Sequence, residues 1–184
     1  NGGTDPYGID NGRAKISRVV ATRGDTGLVR KLNRMLTTSP KSFTLAHVSM
    51  LADAGREYGW LRPRYLDSLH EVDALIGSTL DTVAANPQLQ SDTLVVVTSS
   101  GGGVGRDDTD ATLPGTYMIP LLVWGPNVVA GADLYAINPA YTDPGKLRVG
   151  YAAGQPIRNA TVANLATAAL GLPAIPGSSM NDAQ

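Results

Sequence analysis

The part of this chain that most constrains its fold runs from Pro63 to Gly103. Leu66, Leu69, Val72, Ile76, Leu80 and Val83 recur at helical spacing, so one face of a long helix must be covered. Pro63 suits the first turn of that helix, where a missing N–H costs little, and Asn86-Pro87 stops it. Thr93–Thr98 then offers a short β-branched run suited to a buried parallel strand. A helix feeding a buried strand is the pattern of a βαβ unit. Directly after the strand come Ser99-Ser100-Gly101-Gly102-Gly103, a polar and glycine-rich segment at a strand end.

The rest of the chain is read around that unit. Residues 1–24 are polar and glycine-rich, with Asp5-Pro6-Tyr7-Gly8 and Asp10-Asn11-Gly12 as turn signals and room for one short strand near Ile16–Ala21. From Asp25, Leu28, Val29, Leu32, Met35 and Leu36 predict a helix, with Pro40 just beyond it. Ser42–Met50 alternates and predicts a strand, and Leu51–Leu61, with Gly55 and Gly59, predicts a loop. Tyr117–Trp124 predicts a strand that Pro120 confines to an edge or a bulge. Leu134–Ile137 predicts another short strand. The last helix has Asn159 as its N-cap, Val162, Leu165, Ala166 and Ala169 on one face, and Gly171 and Pro173 past its end.

With 184 residues and 42% hydrophobic content, the sequence predicts a single domain over 1–184, a loop-rich lead-in over 1–24 followed by 25–184. A formal net charge of −1 leaves no excess of Lys and Arg to meet a nucleic-acid backbone or an anionic membrane surface. No apolar stretch approaches the about 20 residues of a membrane span. The absence of Cys excludes disulfides, thiolate sites and cysteine nucleophiles. The chain begins at Asn1, which leaves open a removed or preceding segment, including a cleaved signal peptide.

Several separated blocks now fall into one order: Phe43–Trp60, Tyr65–Gly77, Thr93–Gly103, Ile119–Asn138, Gln155-Pro156-Ile157-Arg158-Asn159 and Leu170-Gly171-Leu172-Pro173. Together they resemble the C-terminal half of bacterial phosphodiesterase-like members of the alkaline phosphatase superfamily. The resemblance implies an α/β fold: a partial alkaline-phosphatase-like sheet flanked by helices, in three αβα layers. It also implies a two-metal hydrolase of phosphate or sulfate esters, whose nucleophile and one Asp ligand come from an N-terminal half that would precede Asn1. The C-terminal half would contribute an Asp-x-x-Gly-His block, an Asp-His pair before glycines and a later His. Two divalent ions need such oxygen and nitrogen donors to polarise both attacking and leaving oxygens. The resemblance leans towards export and leaves the compartment unknown.

At the matching positions this sequence departs from that pattern throughout. Ala52-Asp53-Ala54-Gly55-Arg56 places Ala52 in the Asp position and Arg56 in the His position; a shift of one residue would put Asp53 in the carboxylate position. Ser100 and Gly101 replace the Asp-His pair, and Asp108 replaces the later His. Ala and Gly bring no donor, and Arg brings a fixed positive charge. The sequence therefore predicts no metal ligands, no cofactor and no two-metal hydrolysis.

What remains is a set of candidates, each with a plainer alternative. His47, in the strand that leads into the altered block, either lines a pocket as an acid–base group near neutrality or is hydrogen-bonded in a core. His70, within the long helix, reads as a surface or boundary residue. Gly101 to Gly105 either cradle an anion with backbone N–H groups or form a flexible loop. Asp107, Asp108 and Asp110 read as a solvated acidic turn and lack calcium-loop spacing. Arg56, Glu57, Tyr58 and Trp60 either bind a carboxylate or an aromatic ligand, or pack a loop onto the domain. Asn159-Ala160-Thr161 matches a glycosylation sequon, which an N-cap role explains without it.

Two functions stay open. One is a degenerate, metal-free scaffold that binds a small organic molecule in the former cleft and assists a metal-independent rearrangement, cyclisation or isomerisation. His47, Arg56 and Ser100 would then be the catalytic candidates, with Asp53, Tyr58, Trp60, Ser99, Gly101 and Asp108 as ligand contacts. The other is a pseudoenzyme subunit, or half of a split hydrolase completed by a partner chain. In either case the open sheet needs a cover, by homo-oligomerisation or by a partner.

Overall fold

In the computed structural model, which describes residues 16–152 and 154–178, α1 spans Asp25–Thr38 as its apolar spacing predicts. α3 spans Pro63–Ala84 with Pro63 in its first turn. The Asn86-Pro87 stop is also a start. The Asn86 side chain accepts from the backbone N–H groups of Gln88 and Leu89 and so caps α4, Pro87–Asp92. Helices α1 and α4 pack on α3, as does α2, Met50–Tyr58.

α2 lies where the glycines predicted a loop over Leu51–Leu61. Its N-terminus is capped from a distance. Oδ2 of the buried Asp25, the first residue of α1, accepts from the backbone N–H groups of Ser49 and Met50 at 2.9 and 2.8 Å. Gly55 is a packing residue inside α2, and Gly59, at φ 94°, ends it.

The sheet has two strands among the described residues. β1, Val95–Thr98, and β2, Leu121–Trp124, pair antiparallel, with Val95 opposite Trp124 and Thr98 opposite Leu121. β1 was expected as a buried parallel strand. Its neighbour instead runs the other way, and its residues are half-buried or exposed. Pro120 precedes β2, and its carbonyl accepts from the Thr98 hydroxyl at 2.9 Å. The structure is thus mixed α/β with a small antiparallel sheet, consistent with a partial αβα alkaline-phosphatase-like fold.

Other expectations are corrected. Residues 42–49 are not a strand: the segment carries no ladder, and Phe43, Leu45 and His47 are exposed. Its alternation is strand-like, but no described strand pairs with it. Residues 16–21 form no strand either. The turn signals at Asp5–Gly8 and Asp10–Gly12 lie outside the described residues. Leu134–Ile137 forms a helical turn, α6, because the Asp133 carboxylate caps it by accepting from the Tyr135 and Ala136 N–H groups. α5, Pro114–Tyr117, is another such turn. α7 spans Thr161–Ala169, and Asn159 does not cap it; the Thr161 hydroxyl instead accepts from the Arg158 N–H at 3.2 Å. Gly171, at φ 66°, follows its end as expected.

The buried aliphatic residues among those described are Val29, Ala54, Val72, Val83 and Leu89, all on α1 to α4, and Pro156 is buried outside them. The sheet contributes none. On one of its faces Leu122 and Trp124 remain 49% and 38% exposed.

Candidate functional site

The altered Asp-x-x-Gly-His block lies on α2, and the glycine run begins where β1 ends. The two meet around Trp60. A methyl group added at Gly55 or at Gly103 would overlap the indole, and in both cases the nearest ring atoms include Cδ2 and Cε2. The Trp60 backbone N–H donates to the Gly105 carbonyl at 2.7 Å. Tyr65 completes the surroundings, its ring centroid 6.4 Å from that of Trp60. Partial burial raises the pKa of the Tyr65 phenol above its ordinary value.

The glycine run is thereby explained as packing. A Cβ at Gly102 would overlap the Gly115 carbonyl oxygen, and one at Gly115 would meet Val104 at 2.7 Å. The loop is hydrogen-bonded within itself: Gly101 N–H donates to Ser99 Oγ, Gly102 N–H to the Thr116 carbonyl, and Val104 and Asp107 exchange backbone bonds. The Gly101, Gly102 and Val104 amides are thus bonded to protein acceptors rather than presented to an anion. Nor is the segment the unconstrained loop of the plainer reading.

Arg56 reaches across to the following turn. Its Nε donates to Oδ2 of Asp108 at 2.9 Å, its Nη2 lies 2.7 Å from the same oxygen as an ion pair, and its Nη1 lies 3.8 Å from Asp53 Oδ1. The two residues in the former His positions are therefore paired with each other. Asp107 and Asp110 each fold back on a threonine. Oδ1 of Asp107 accepts from Thr109, and Oδ1 of Asp110 from Thr112, each through both the backbone N–H and the hydroxyl. These bonds lower the pKa of both carboxyl groups.

The other candidates are more dispersed. The Tyr58 ring lies under the Arg64 guanidinium at 4.7 Å. The Ser99 hydroxyl donates to the Gly101 carbonyl at 2.6 Å. Ser100 is exposed, and so is His47, which makes no hydrogen bond or ion pair to another described residue. His70 is likewise exposed on α3. The structure thus brings Arg56, Asp53, Asp108 and Trp60 together with the glycine loop, while His47 stays on the unpaired 42–49 segment.

Sequence reasoning passed over a cavity of about 300 Å³ lined by Ile119, Leu121, Ala132, Asp133, Leu134, Tyr135 and Ile157. Its polar groups are held in place. The Tyr135 hydroxyl accepts from the Ile157 N–H at 3.2 Å, and burial is the main cause of its raised pKa. The signal was present in Asp133, a good N-cap ahead of Leu134-Tyr135.

The residues at the ligand-matching positions do not fit a divalent-metal centre. Ala52 and Gly101 have no side-chain donor, Arg56 is a cation, and Asp108 is committed to Arg56. Among the described residues no three His, Cys, Asp or Glu cluster in a way that could hold an ion. No described helix is long and apolar enough to cross a membrane.

Comparison with known proteins gives one family. A family model described as type I phosphodiesterase / nucleotide pyrophosphatase matches residues 11–151. No curated protein and no solved structure matches the chain.

Proposed function

Because the chain belongs to the type I phosphodiesterase / nucleotide pyrophosphatase family of the alkaline phosphatase superfamily, we propose that it is a degenerate member: a single-domain, non-hydrolysing module completed by further polypeptide. The observation that carries this reading is the donor set. The positions that match the family's ligands offer Asp108, which a guanidinium already neutralises, and, on a one-residue shift, Asp53 beside the same guanidinium. Hydrolysis by two metals needs several anionic or neutral donors around each ion and an open position for substrate. Arg56, Gly101 and Ala52 remove those requirements one by one. Exposed Leu122 and Trp124 on the sheet and exposed Phe43 and Leu45 beside α2 support the second half of the proposal, since such surface is ordinarily covered.

The experiment is metal analysis together with turnover of a generic phosphodiester, bis(p-nitrophenyl) phosphate, by the purified chain. The expected result is no stoichiometric metal and no chelator-sensitive hydrolysis. Stoichiometric zinc, with hydrolysis abolished by a chelator, would overturn the proposal.

A second reading, binding of a small organic molecule, is favoured by the cavity beside β2. Its walls are apolar at Ile119, Leu121, Leu134 and Ile157, and Tyr135 brings a hydroxyl oriented by Ile157. The former cleft, with Asp53, Tyr58, Trp60 and Ser99 as contacts and His47, Arg56 and Ser100 as acid–base and hydrogen-bonding groups, would be a separate site, because none of these residues lines the cavity. Tyr135→Phe should then weaken ligand capture more than Ser100→Ala does. Equal effects, or none, would count against the cavity.

A further inference from the structure

Arg56 and Asp108 belong to different pieces of chain, α2 and the turn beyond the glycine run. The guanidinium donates to one carboxylate oxygen through Nε and brings Nη2 within 2.7 Å of the same oxygen, a charge-assisted contact stronger than a neutral hydrogen bond. These are also the two positions where the resemblance would put imidazoles on metal. We infer that the Arg56–Asp108 pair is a built-in cross-link in place of a bridging cation, holding the 103–108 loop on α2 and against Trp60 without metal.

The surrounding geometry carries the link from the pair to the indole. Val104 and Asp107 exchange backbone bonds at 2.8 and 3.0 Å, so residues 104–107 form one small unit with Asp108 at its end. At its other end, the Gly105 carbonyl accepts from Trp60, and Gly103 packs on the ring. A Cβ on Gly59 would lie 3.0 Å from the same Gly105 oxygen, so α2 and the loop approach closely without a side chain between them. Releasing Asp108 frees one end of the unit whose other end covers Trp60. The cross-link rests on the same substitutions as the proposed function, but its test involves no turnover, ligand or partner, so either can fail without the other.

The test uses the full chain with Trp124→Phe, which leaves Trp60 as the sole indole. Asp108→Asn should red-shift Trp60 emission, speed its quenching by acrylamide and lower the melting temperature by roughly 2–4 °C, a modest shift because the pair is partly solvated. Arg56→Asp should red-shift it further, since it sets three carboxylates at Asp53, position 56 and Asp108. The exchanged variant, Arg56→Asp with Asp108→Arg, should recover at least half of that shift. A chelator should change none of these readings. Should Asp108→Asn fail to fold by circular dichroism, Arg56→Lys, which keeps the charge but loses the two-pronged contact, should give a smaller red shift. The inference is overturned by unchanged emission in the single variants, by recovery of less than half in the exchanged variant, or by a chelator that reproduces the shift in the unsubstituted protein.

Discussion

The strands of this molecule are more apolar in sequence than its helices, yet the buried aliphatic side chains lie on the helical side. Val29, Ala54, Val72, Val83 and Leu89 on α1 to α4 are covered by one another's helices, whereas Leu122, Trp124, Phe43 and Leu45 lie open on β2 and the 42–49 segment. The difference follows from where each element finds its hydrogen bonds. A helix satisfies its backbone within itself and needs a neighbour only for one face. A strand needs neighbours along its edges as well, and among the described residues β1 has β2 on one edge alone. The glycine loop belongs with the helical side in this respect, because the Gly101, Gly102 and Val104 amides have protein acceptors and Gly103 packs on Trp60.

The sharpest way to break that grouping is within the glycine run itself. Gly102→Ala drives a methyl into the Gly115 carbonyl, a backbone atom that cannot swing aside, and should cost about 2–3 kcal/mol in urea unfolding. Gly101→Ala, whose added Cβ would sit 3.4 Å from the Thr116 oxygen, should cost less than about 0.5 kcal/mol. Gly77→Ala, with nothing within 4 Å on α3, should add about 0.5–1 kcal/mol. Equal costs at Gly101 and Gly102 would mean that the loop is a tether and not a packed part of the helical side.

Next in size is the cap that joins α1 to α2. Asp25→Ala leaves the Ser49 and Met50 N–H groups without their shared acceptor and should cost about 2 kcal/mol. Asp25→Asn keeps one oxygen and should cost about half as much. Hydrogen exchange at the Ser49 and Met50 amides separates a local effect from global unfolding: both should quicken first in Asp25→Ala. Unchanged exchange there would show that α2 stands without α1.

The same division explains what the sequence could reveal. α1 and α3 were readable because their apolar stripes, Pro63 and Asn86 act within a few residues of one another. α2 was hidden, since Gly55 and Gly59 look like breakers until Trp60 is known to need the bare backbone of Gly55 and the Gly105 carbonyl that of Gly59, and its cap comes from Asp25, 24 residues away. The 42–49 segment was legible as strand-like, but a strand is made by its partner and none lies beside it among the described residues. The lost metal positions were legible one at a time. That Arg56 and Asp108 meet depends on the fold, and no spacing between positions 56 and 108 announces it.

A smaller effect probes the sheet side. Leu122 is already half exposed, so Leu122→Ala should cost below about 1 kcal/mol, whereas Val72→Ala in the helical core should cost about 2 kcal/mol. Leu122→Lys should instead change association: light scattering of the unsubstituted chain should rise with concentration, and the lysine variant should scatter as a smaller species. A scattering profile indifferent to Leu122→Lys would mean that this face needs no cover, and the contrast between the two sides would lose its functional meaning.

The smallest effect lies in the acidic turn, where Asp107 is exposed and Asp110 half-buried at the surface. Their pKa values are lowered chiefly by the hydroxyls and N–H groups of Thr109 and Thr112. A carboxylate with a lowered folded-state pKa helps the fold above its ordinary value, and that help fades as the pH falls through the lowered one. The amide resonances of Thr109 and Thr112 should therefore hold their folded positions when the solution passes the usual aspartate range and move only in stronger acid. Asp107→Asn, which keeps an acceptor oxygen, should abolish the titration at Thr109 and leave that at Thr112 in place. If both amides titrate at the ordinary aspartate value, the turn is held by its surroundings rather than by its own side chains, and the end of the loop carrying Asp108 would no longer belong to the self-satisfied half of the molecule.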